Sequence, residues 1–354
     1  MRKRSGTNDH ADVEVAAITR ELDELRAELE HARRQLDVSR RLDDLADALV
    51  GELDPDAVQE AAAQAVTLDI DDDRLATRVA ERADRALAAA RRVATQMDGM
   101  RQLERSLLPA ALLPVPGLQL ASRYVPAKGS HEVGGDFYDA VRTGGAVTLI
   151  VGDVQGKGIA AATLTSLARH TLRTAALMGG APAELLTQLN KSLLYGQEEQ
   201  MAGGQDQLLR FVTAAVARLA PTSDDGQFRV TVARAGQPPP LIVRSDGRFE
   251  TLEPSGVLLG VCEQPSFDQV DALLEVGDTL VLYTDGVIEQ RVDAAKAMSE
   301  QHLGMLIRNR RGVVDAEAIA QLVEDTVHLV APEDVRDDVA ILVACVTRPD
   351  PSRG

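Results

Sequence analysis

The sequence lacks tryptophan, and its 354 residues include only four tyrosines, five phenylalanines and two cysteines. A core must therefore be built mainly from Leu, Val, Ile and Ala, and 45% of the residues are hydrophobic. Cys262 and Cys345 lie far apart in the chain and belong to no CxxC motif or Cys/His cluster. This usage is typical of a reducing compartment and argues against a disulfide scaffold or a structural zinc site.

Long apolar runs are also missing. The first ten residues, MRKRSGTNDH, lack the apolar stretch of a signal peptide. No run approaches the ~20 apolar residues that a membrane-spanning helix requires. Basic residues are fewer than acidic ones: the chain has 38 basic and 55 acidic residues, and its formal net charge is -17. Since such a polyanion repels nucleic acid and anionic membranes, we expect a cytoplasmic protein with neither as a partner.

Residues 13–108 contain almost no glycine and no strand-like run, whereas residues 1–12 read as a disordered tail. Apolar positions alternate at spacings of four and three, the pattern of a coiled coil. The first series is Ile18, Leu22, Leu25, Leu29, Ala32 and Leu36, and the second is Val79, Ala83, Ala86, Ala90, Val93, Met97 and Met100. We predict a helical region that forms a parallel homodimer. An intramolecular helical hairpin is the alternative.

The pattern changes after Pro109, Pro114 and Pro116, which cannot continue a helix. Short β-type runs follow: LQLASRY, VTLIVGDV, FVTAAVARL, QFRVTVARA, PPLIVRS, DTLVLYT and DVAILVACV. Helical runs are predicted at 159–178, 182–196, 298–309 and 315–330. Strands in series, with helices inserted in pairs, indicate an α+β layered domain rather than a strict βαβ alternation.

Aspartates recur at the predicted strand ends, often beside glycine. Asp136 follows Gly-Gly, Asp153 and Asp285 each end an apolar strand, and Asp337 and Asp338 begin the last strand. Such carboxylates can converge, but their mutual repulsion then requires divalent cations. An all-oxygen ligand set favours Mg²⁺ or Mn²⁺ over zinc. Each run alone is a weak signal, because TDG is also an ordinary turn sequence, so the prediction depends on all four in this order.

In that order, the runs VGGDFYD, GDVQGKGIAAA, ARAGQPPPLIV, LVLYTDGVIE and RDDVAILV resemble a known family. It is the PPM-type metal-dependent serine/threonine protein phosphatases of the SpoIIE/RsbU branch, bacterial enzymes of partner-switching pathways. The resemblance covers residues 103–347. It implies an α-β-β-α sandwich over 109–349, which would follow the all-α coiled-coil region that the apolar spacing predicts over 13–108. One departure is Gln237, which stands where the family usually has the His of AGHPP.

The resemblance also implies two Mn²⁺ or Mg²⁺ ions and direct hydrolysis of a phosphomonoester by a metal-bridging water. The implied ligands are four carboxylates and one backbone carbonyl: Asp136, Asp153, Val154, Asp285 and Asp337. Asp153 would bridge the ions and, with Asp136, would be a catalytic residue. Asp338 is the alternative to Asp337, because adjacent residues of a strand face opposite ways. Lys157 is either a phosphate contact or a solvated loop lysine.

The implied substrate is a phosphorylated protein, an anti-sigma factor antagonist of the STAS type. We also expect an activating protein partner at the 13–108 helices. Parts of that region, 41–66 and 74–93, resemble the helices that flank a GAF sensor domain, but the sheet between them is missing and no GAF ligand is expected. The competing hypothesis is a catalytically silent scaffold. Its mark would be the loss of metal-binding aspartates, and none is lost.

Overall fold

The computed structural model describes residues 107–127 except 110, 134–203, 210–224, 226–288, 291–293, 296–309, 315–330 and 337–348, and six positions between 20 and 27. The chain divides into two compact units, Met1–Gln102 and Leu103–Gly354. The six described positions of the first unit are helical. The predicted tail at 1–12 and nearly all of the predicted helical region at 13–108 lie outside the described residues. The coiled coil and the homodimer therefore stay predictions.

Ten strands of the second unit form two five-stranded antiparallel sheets. The strands of the first sheet are β1 (Leu118–Val125), β6 (Leu241–Val243), β7 (Phe249–Thr251), β9 (Thr279–Tyr283) and β12 (Val339–Val346). They are ordered β1-β12-β9-β6-β7. The strands of the second sheet are β2 (Phe137–Thr143), β3 (Ala146–Val154), β4 (Val212–Pro221), β5 (Phe228–Ala235) and β8 (Val270–Leu274), in the order β2-β3-β4-β5-β8. A separate hairpin joins β10 (Arg291–Asp293) to β11 (Lys296–Ala297).

Helix pairs cover the outer faces of both sheets. The helices are α1 (Ile159–Leu177), α2 (Pro182–Ala202), the single turn α3 (Asp285–Ile288), α4 (Glu300–Arg308) and α5 (Ala316–Val330). Helices α1 and α2 pack on the second sheet, and α4 and α5 pack on the first. A third apolar cluster, which includes Leu149, Val230, Leu280 and Leu342, fills the space between the sheets. The layers are therefore α-β-β-α, and no helix among the described residues combines the length and apolar character needed to cross a bilayer.

Every predicted strand has a counterpart in this sandwich, and the four predicted helical runs correspond to α1, α2, α4 and α5. Helix α2 continues to Ala202, beyond the predicted end at residue 196. The sequence pattern missed β2, whose first five residues are all buried and therefore show no alternation of apolar and polar side chains. Helix α1 covers one face of β2 and strand β12 the other, which explains why both faces are buried.

A buried ion pair ties α1 to β2. Asp139 is fully buried, and its Oδ2 accepts hydrogen bonds from Arg169 Nε at 3.1 Å and Arg173 Nε at 3.2 Å. Its Oδ1 accepts a hydrogen bond from the backbone N–H of Ala140 at 2.8 Å. Because a buried charge without its partner is strongly destabilising, this arrangement fixes the helix against the strand that directly follows Asp136.

Candidate metal centre

Three aspartate side chains meet at one end of the sandwich. Asp136 lies immediately before β2, Asp153 is the penultimate residue of β3, and Asp285 begins α3, separated from the end of β9 by one residue. One carboxylate oxygen from each lies within 4.8 Å of the other two. The acidic side chains at the ends of β2 and β3, which are neighbours in one sheet, therefore lie close to the acidic side chain that follows β9 of the other sheet.

Gly135 leaves room for two predicted ligand atoms beside this point. A Cβ at Gly135 would collide with the carbonyl oxygen of Val154 and with Asp153 Oδ1, so only glycine fits where these two oxygens lie. The carbonyl of Gly135 accepts hydrogen bonds from Val154 N and from Thr165 Oγ1, both at 3.2 Å. The loop that carries Asp136 is thus held to both β3 and α1.

The two adjacent aspartates at the start of β12 have different surroundings. Asp338 is 3% exposed, and its Oδ1 accepts a hydrogen bond from Ala127 N at 2.9 Å. The Asp337 side chain is 47% exposed, and its Oδ1 lies 3.6 Å from Lys157 Nζ. Neither belongs to the group of three within 4.8 Å. Asp337, with Lys157, therefore lies on the open side of the site, and the ligand roles of both aspartates stay predictions.

Burial and mutual repulsion raise the pKa values of four carboxyls at this end of the fold, those of Asp136, Asp153, Asp285 and Asp338. Burial first, and then the charge of Asp153, raises the pKa of Asp136 well above its usual value. Burial is the largest cause that raises the pKa of Asp153 to about 7, and the charges of Asp285, Asp337 and Asp338 raise it further. The pKa values of Asp285 and Asp338 are also raised, chiefly by burial. Hard divalent cations would offset this charge, and the all-oxygen donor set with the space at Gly135 fits them.

Sequence reasoning missed a threonine that orients Asp136. Thr284 Oγ1 is fully buried and donates a hydrogen bond to Asp136 Oδ2 at 2.6 Å. The same hydroxyl accepts a hydrogen bond from Ala340 N at 2.8 Å, which fixes it to β12. The available signal was a hydroxyl residue directly before Asp285 in TDG. Thr165, inside α1, offered no comparable signal in the sequence.

A helix-flanked pair of antiparallel sheets with an acidic cluster at one end defines the class as the PP2C-like phosphatase fold. The family model of Stage II sporulation protein E (SpoIIE) matches residues 143–347. That match spans more than half of the chain, and the chain therefore belongs to the SpoIIE family.

Three relatives illustrate the similarity. Phosphoserine phosphatase RsbU of Bacillus subtilis is 30% identical over 192 residues, which are 54% of this chain and 52% of RsbU. The chain thus matches about half the length of that relative. The crystal structure of the RsbU and RsbW domains of Rv1364c from Mycobacterium tuberculosis has 29% identity and a TM-score of 0.55, covering 69% of this chain and 64% of that one. The PP2C phosphatase domain of SpoIIE from Bacillus subtilis, with a fragment of its regulatory domain, shares the fold at 16% identity and a TM-score of 0.53, covering 67% and 66% of the two chains.

The raised pKa of Asp153 predicts a pH-dependent stability in metal-free protein. A carboxyl whose pKa is higher in the folded state stabilises the fold while protonated, and this stability is lost as pH rises through the folded value of about 7. Asp153→Asn mimics the protonated form. In EDTA, its thermal midpoint should exceed that of the wild type by a margin that grows between pH 5 and pH 8.

The matched control is Asp246→Asn. Asp246 lies outside the acidic cluster, and hydrogen bonds from Arg248 lower its pKa. The difference in thermal midpoint between Asp246→Asn and the wild type should not increase from pH 5 to pH 8. If the difference in thermal midpoint between Asp153→Asn and the wild type is the same at pH 5 and pH 8, the raised pKa of Asp153 is contradicted.

Proposed function

We propose that the protein is a metal-dependent serine/threonine protein phosphatase that hydrolyses phosphoserine or phosphothreonine. The observation that carries the proposal is the meeting of Asp136, Asp153 and Asp285 within 4.8 Å at one end of the fold. Membership of the SpoIIE family and the similarity to the phosphoserine phosphatase RsbU support it. A cluster of one buried and two partly buried acids with raised pKa values has no evident structural benefit, and such clusters are typical of functional sites.

The residues that would hold two Mn²⁺ or Mg²⁺ ions are Asp136, Asp153, Val154 through its carbonyl, Asp285 and Asp337. Bound ions would lower the pKa of a shared water and offset charge on the phosphoryl oxygens. We choose Asp337 over Asp338 because the Asp337 side chain lies on the open side beside Lys157, and Asp338, which is 3% exposed, stays the alternative ligand.

The chain's own groups would hold and orient the reacting molecules. Thr284 donates a hydrogen bond to Asp136 Oδ2 and thereby holds the Asp136 carboxyl in a fixed orientation. Lys157 lies on the open side beside Asp337, where its ammonium can contact a phosphate oxygen as a point charge. Asp136 and Asp153 are the catalytic residues of this proposal.

Hydrolysis of p-nitrophenyl phosphate by the full chain should depend on Mn²⁺ or Mg²⁺ and should stop in EDTA. Asp153→Asn and Asp285→Asn should each lower the metal-dependent rate by at least ~100-fold, because changes to groups that merely support ligands typically cost 10- to 100-fold. Asp337→Asn should raise the Mn²⁺ concentration needed for half-maximal rate. The measurement is initial rate against metal concentration.

Asp246→Asn serves as the control, because this substitution removes one carboxylate outside the cluster. Its rate should equal that of the wild type. If Asp153→Asn or Asp285→Asn hydrolyses p-nitrophenyl phosphate at the wild-type rate, the metal-centre assignment is wrong. A folded wild type that binds Mn²⁺ but hydrolyses no phosphomonoester or phosphoprotein would instead favour the silent scaffold.

For the substrate, we propose a phosphorylated STAS-type anti-sigma factor antagonist in a cytoplasmic partner-switching pathway. The support is the similarity to RsbU and to the RsbU and RsbW domains of Rv1364c. The net charge of -17 also disfavours polyanionic substrates such as nucleic acid.

Phosphate release from a STAS-domain protein phosphorylated on serine should be metal-dependent. It should be faster than release from a phosphotyrosine peptide at the same concentration. The measurement is free phosphate over time, with the unphosphorylated STAS protein as the blank. Equal rates on the two substrates would contradict the substrate class, and no release from the STAS protein by an enzyme active on other phosphoserine proteins would contradict the STAS assignment.

We further propose that residues 13–108 dimerise the chain and bind an activating protein partner. The support is the spacing of four and three among their apolar residues. In sedimentation equilibrium the full chain should be a dimer and residues 103–354 a monomer at equal concentration. The rate and Mn²⁺ affinity of the shorter chain should also differ from those of the full chain. A monomeric full chain would contradict dimerisation, and identical rate and affinity would contradict coupling to the site.

A further inference from the structure

Gln237 is a buried amide near the acidic cluster. It follows β5 and precedes three consecutive prolines, Pro238 to Pro240. The residue is 1% exposed, which is rare for glutamine unless its polar atoms are satisfied. Its backbone is fixed as well, because Arg234 donates a hydrogen bond to the Gln237 carbonyl at 2.9 Å.

The side chain of Gln237 joins the two sheets. Its Nε2 donates a hydrogen bond to the carbonyl oxygen of Tyr283 in β9 at 3.2 Å. Its Oε1 accepts a hydrogen bond from Thr213 Oγ1 in β4 at 2.5 Å. The orientation of the amide follows from the chemistry of its partners, since a backbone carbonyl can only accept and therefore faces the NH₂ group.

Local sequence explains why a side chain makes this contact. Strand β6 pairs with β9 from Leu241 opposite Val281 onward, so Tyr283 lies beyond the end of β6. The residues that would extend β6 in this direction are prolines, which have no backbone N–H to donate. Without the Gln237 amide, the buried carbonyl of Tyr283 would lose this donor, and leaving a buried acceptor unsatisfied is costly.

Both hydrogen-bond partners lie next to residues of the acidic cluster. Thr213 is the cross-strand partner of Asp153 in the β3–β4 ladder. Tyr283 is followed by Thr284, which donates to Asp136, and then by Asp285. A single amide thus connects the strand paired with Asp153 to the segment that carries Asp285.

We propose that Gln237 is a positioning residue of the metal centre. Its side-chain amide fixes the separation of β4 and β9, and thereby the separation of Asp153 and Asp285. This inference rests on the proposed function, because it assumes that those aspartates bind divalent cations. Gln237 itself touches neither substrate nor metal, and its effect passes through Thr213 and Tyr283.

The test measures Mn²⁺ binding to the full chain, using the electron paramagnetic resonance signal of free Mn²⁺. Gln237→Met keeps the length of the side chain and removes both hydrogen bonds. Its Mn²⁺ affinity should fall about 10- to 100-fold, the effect typical of losing a group that supports metal ligands. Gln237→His should recover most of that loss, because neutral imidazole retains one N–H donor and one acceptor.

The matched control is Asn190→Leu. Asn190 is also a fully buried amide with two hydrogen bonds, to the carbonyl of Cys262 and from the N–H of Gly260, each at 2.8 Å. These contacts join α2 to a loop and include none of the cluster residues. Asn190→Leu should lower the thermal midpoint while leaving the Mn²⁺ affinity unchanged.

Wild-type Mn²⁺ affinity in folded Gln237→Met overturns the inference, and so does an equal loss of affinity in Asn190→Leu. If Gln237→Met does not fold, Thr213→Val decides: weaker Mn²⁺ binding supports the inference, and unchanged binding overturns it. Failure of the proposed metal centre would be distinguishable, because the wild type itself would then bind no Mn²⁺. Failure of the phosphatase activity alone would appear in the rate assay and would leave the comparison of Mn²⁺ affinities intact.

Discussion

Asp136 and Asp153 bring two carboxyls from neighbouring strands into one partly buried site, where Asp285 joins them from the opposite sheet. Burial and repulsion both oppose their ionised forms, and each unit of raised pKa corresponds to ~1.4 kcal/mol. The apolar layers offset that cost, since fully burying a Leu, Val or Ile side chain contributes ~1.5–3 kcal/mol. Strand β3, which carries Asp153, and strand β9, which precedes Asp285, are buried along nearly their whole length and contribute to this offset.

Polar groups then fix Asp136 and the segments around the acids. Thr284 orients Asp136, the carbonyl of Gly135 ties the neighbouring loop to β3 and α1, and Gln237 bridges the two sheets. The short Thr284 side chain has little rotamer freedom to lose on folding, whereas ordering the buried Gln237 side chain costs roughly 1.5–2 kcal/mol, which its two hydrogen bonds help to offset. The acidic cluster is thus held by the fold even though its members repel one another. Divalent cations would find the carboxylates already in place.

The sequence predicted a layered α+β domain because β3, β9 and β12 are apolar runs bounded by turn residues, and the resemblance to the family supplied the α-β-β-α order. Strand β2 was not predicted, because burial on both faces removes the alternation of apolar and polar residues that marks a strand. The predicted acids at 136, 153 and 285 could be found from their strand ends and glycine neighbours. The roles of Thr284 and Gln237 could not, because they depend on contacts across 148 and 24 or more residues of chain, which only the folded topology creates.

The central claim is that these carboxylates are compensated by bound cations, and calorimetry of Mn²⁺ binding in buffers of different ionisation enthalpy tests it most directly. At pH 6.5 the full chain should bind two Mn²⁺ per chain and release protons, because Asp153, with its pKa of about 7, must give up its proton to act as a ligand. Absence of saturable Mn²⁺ binding, or binding without any release of protons, would contradict the account.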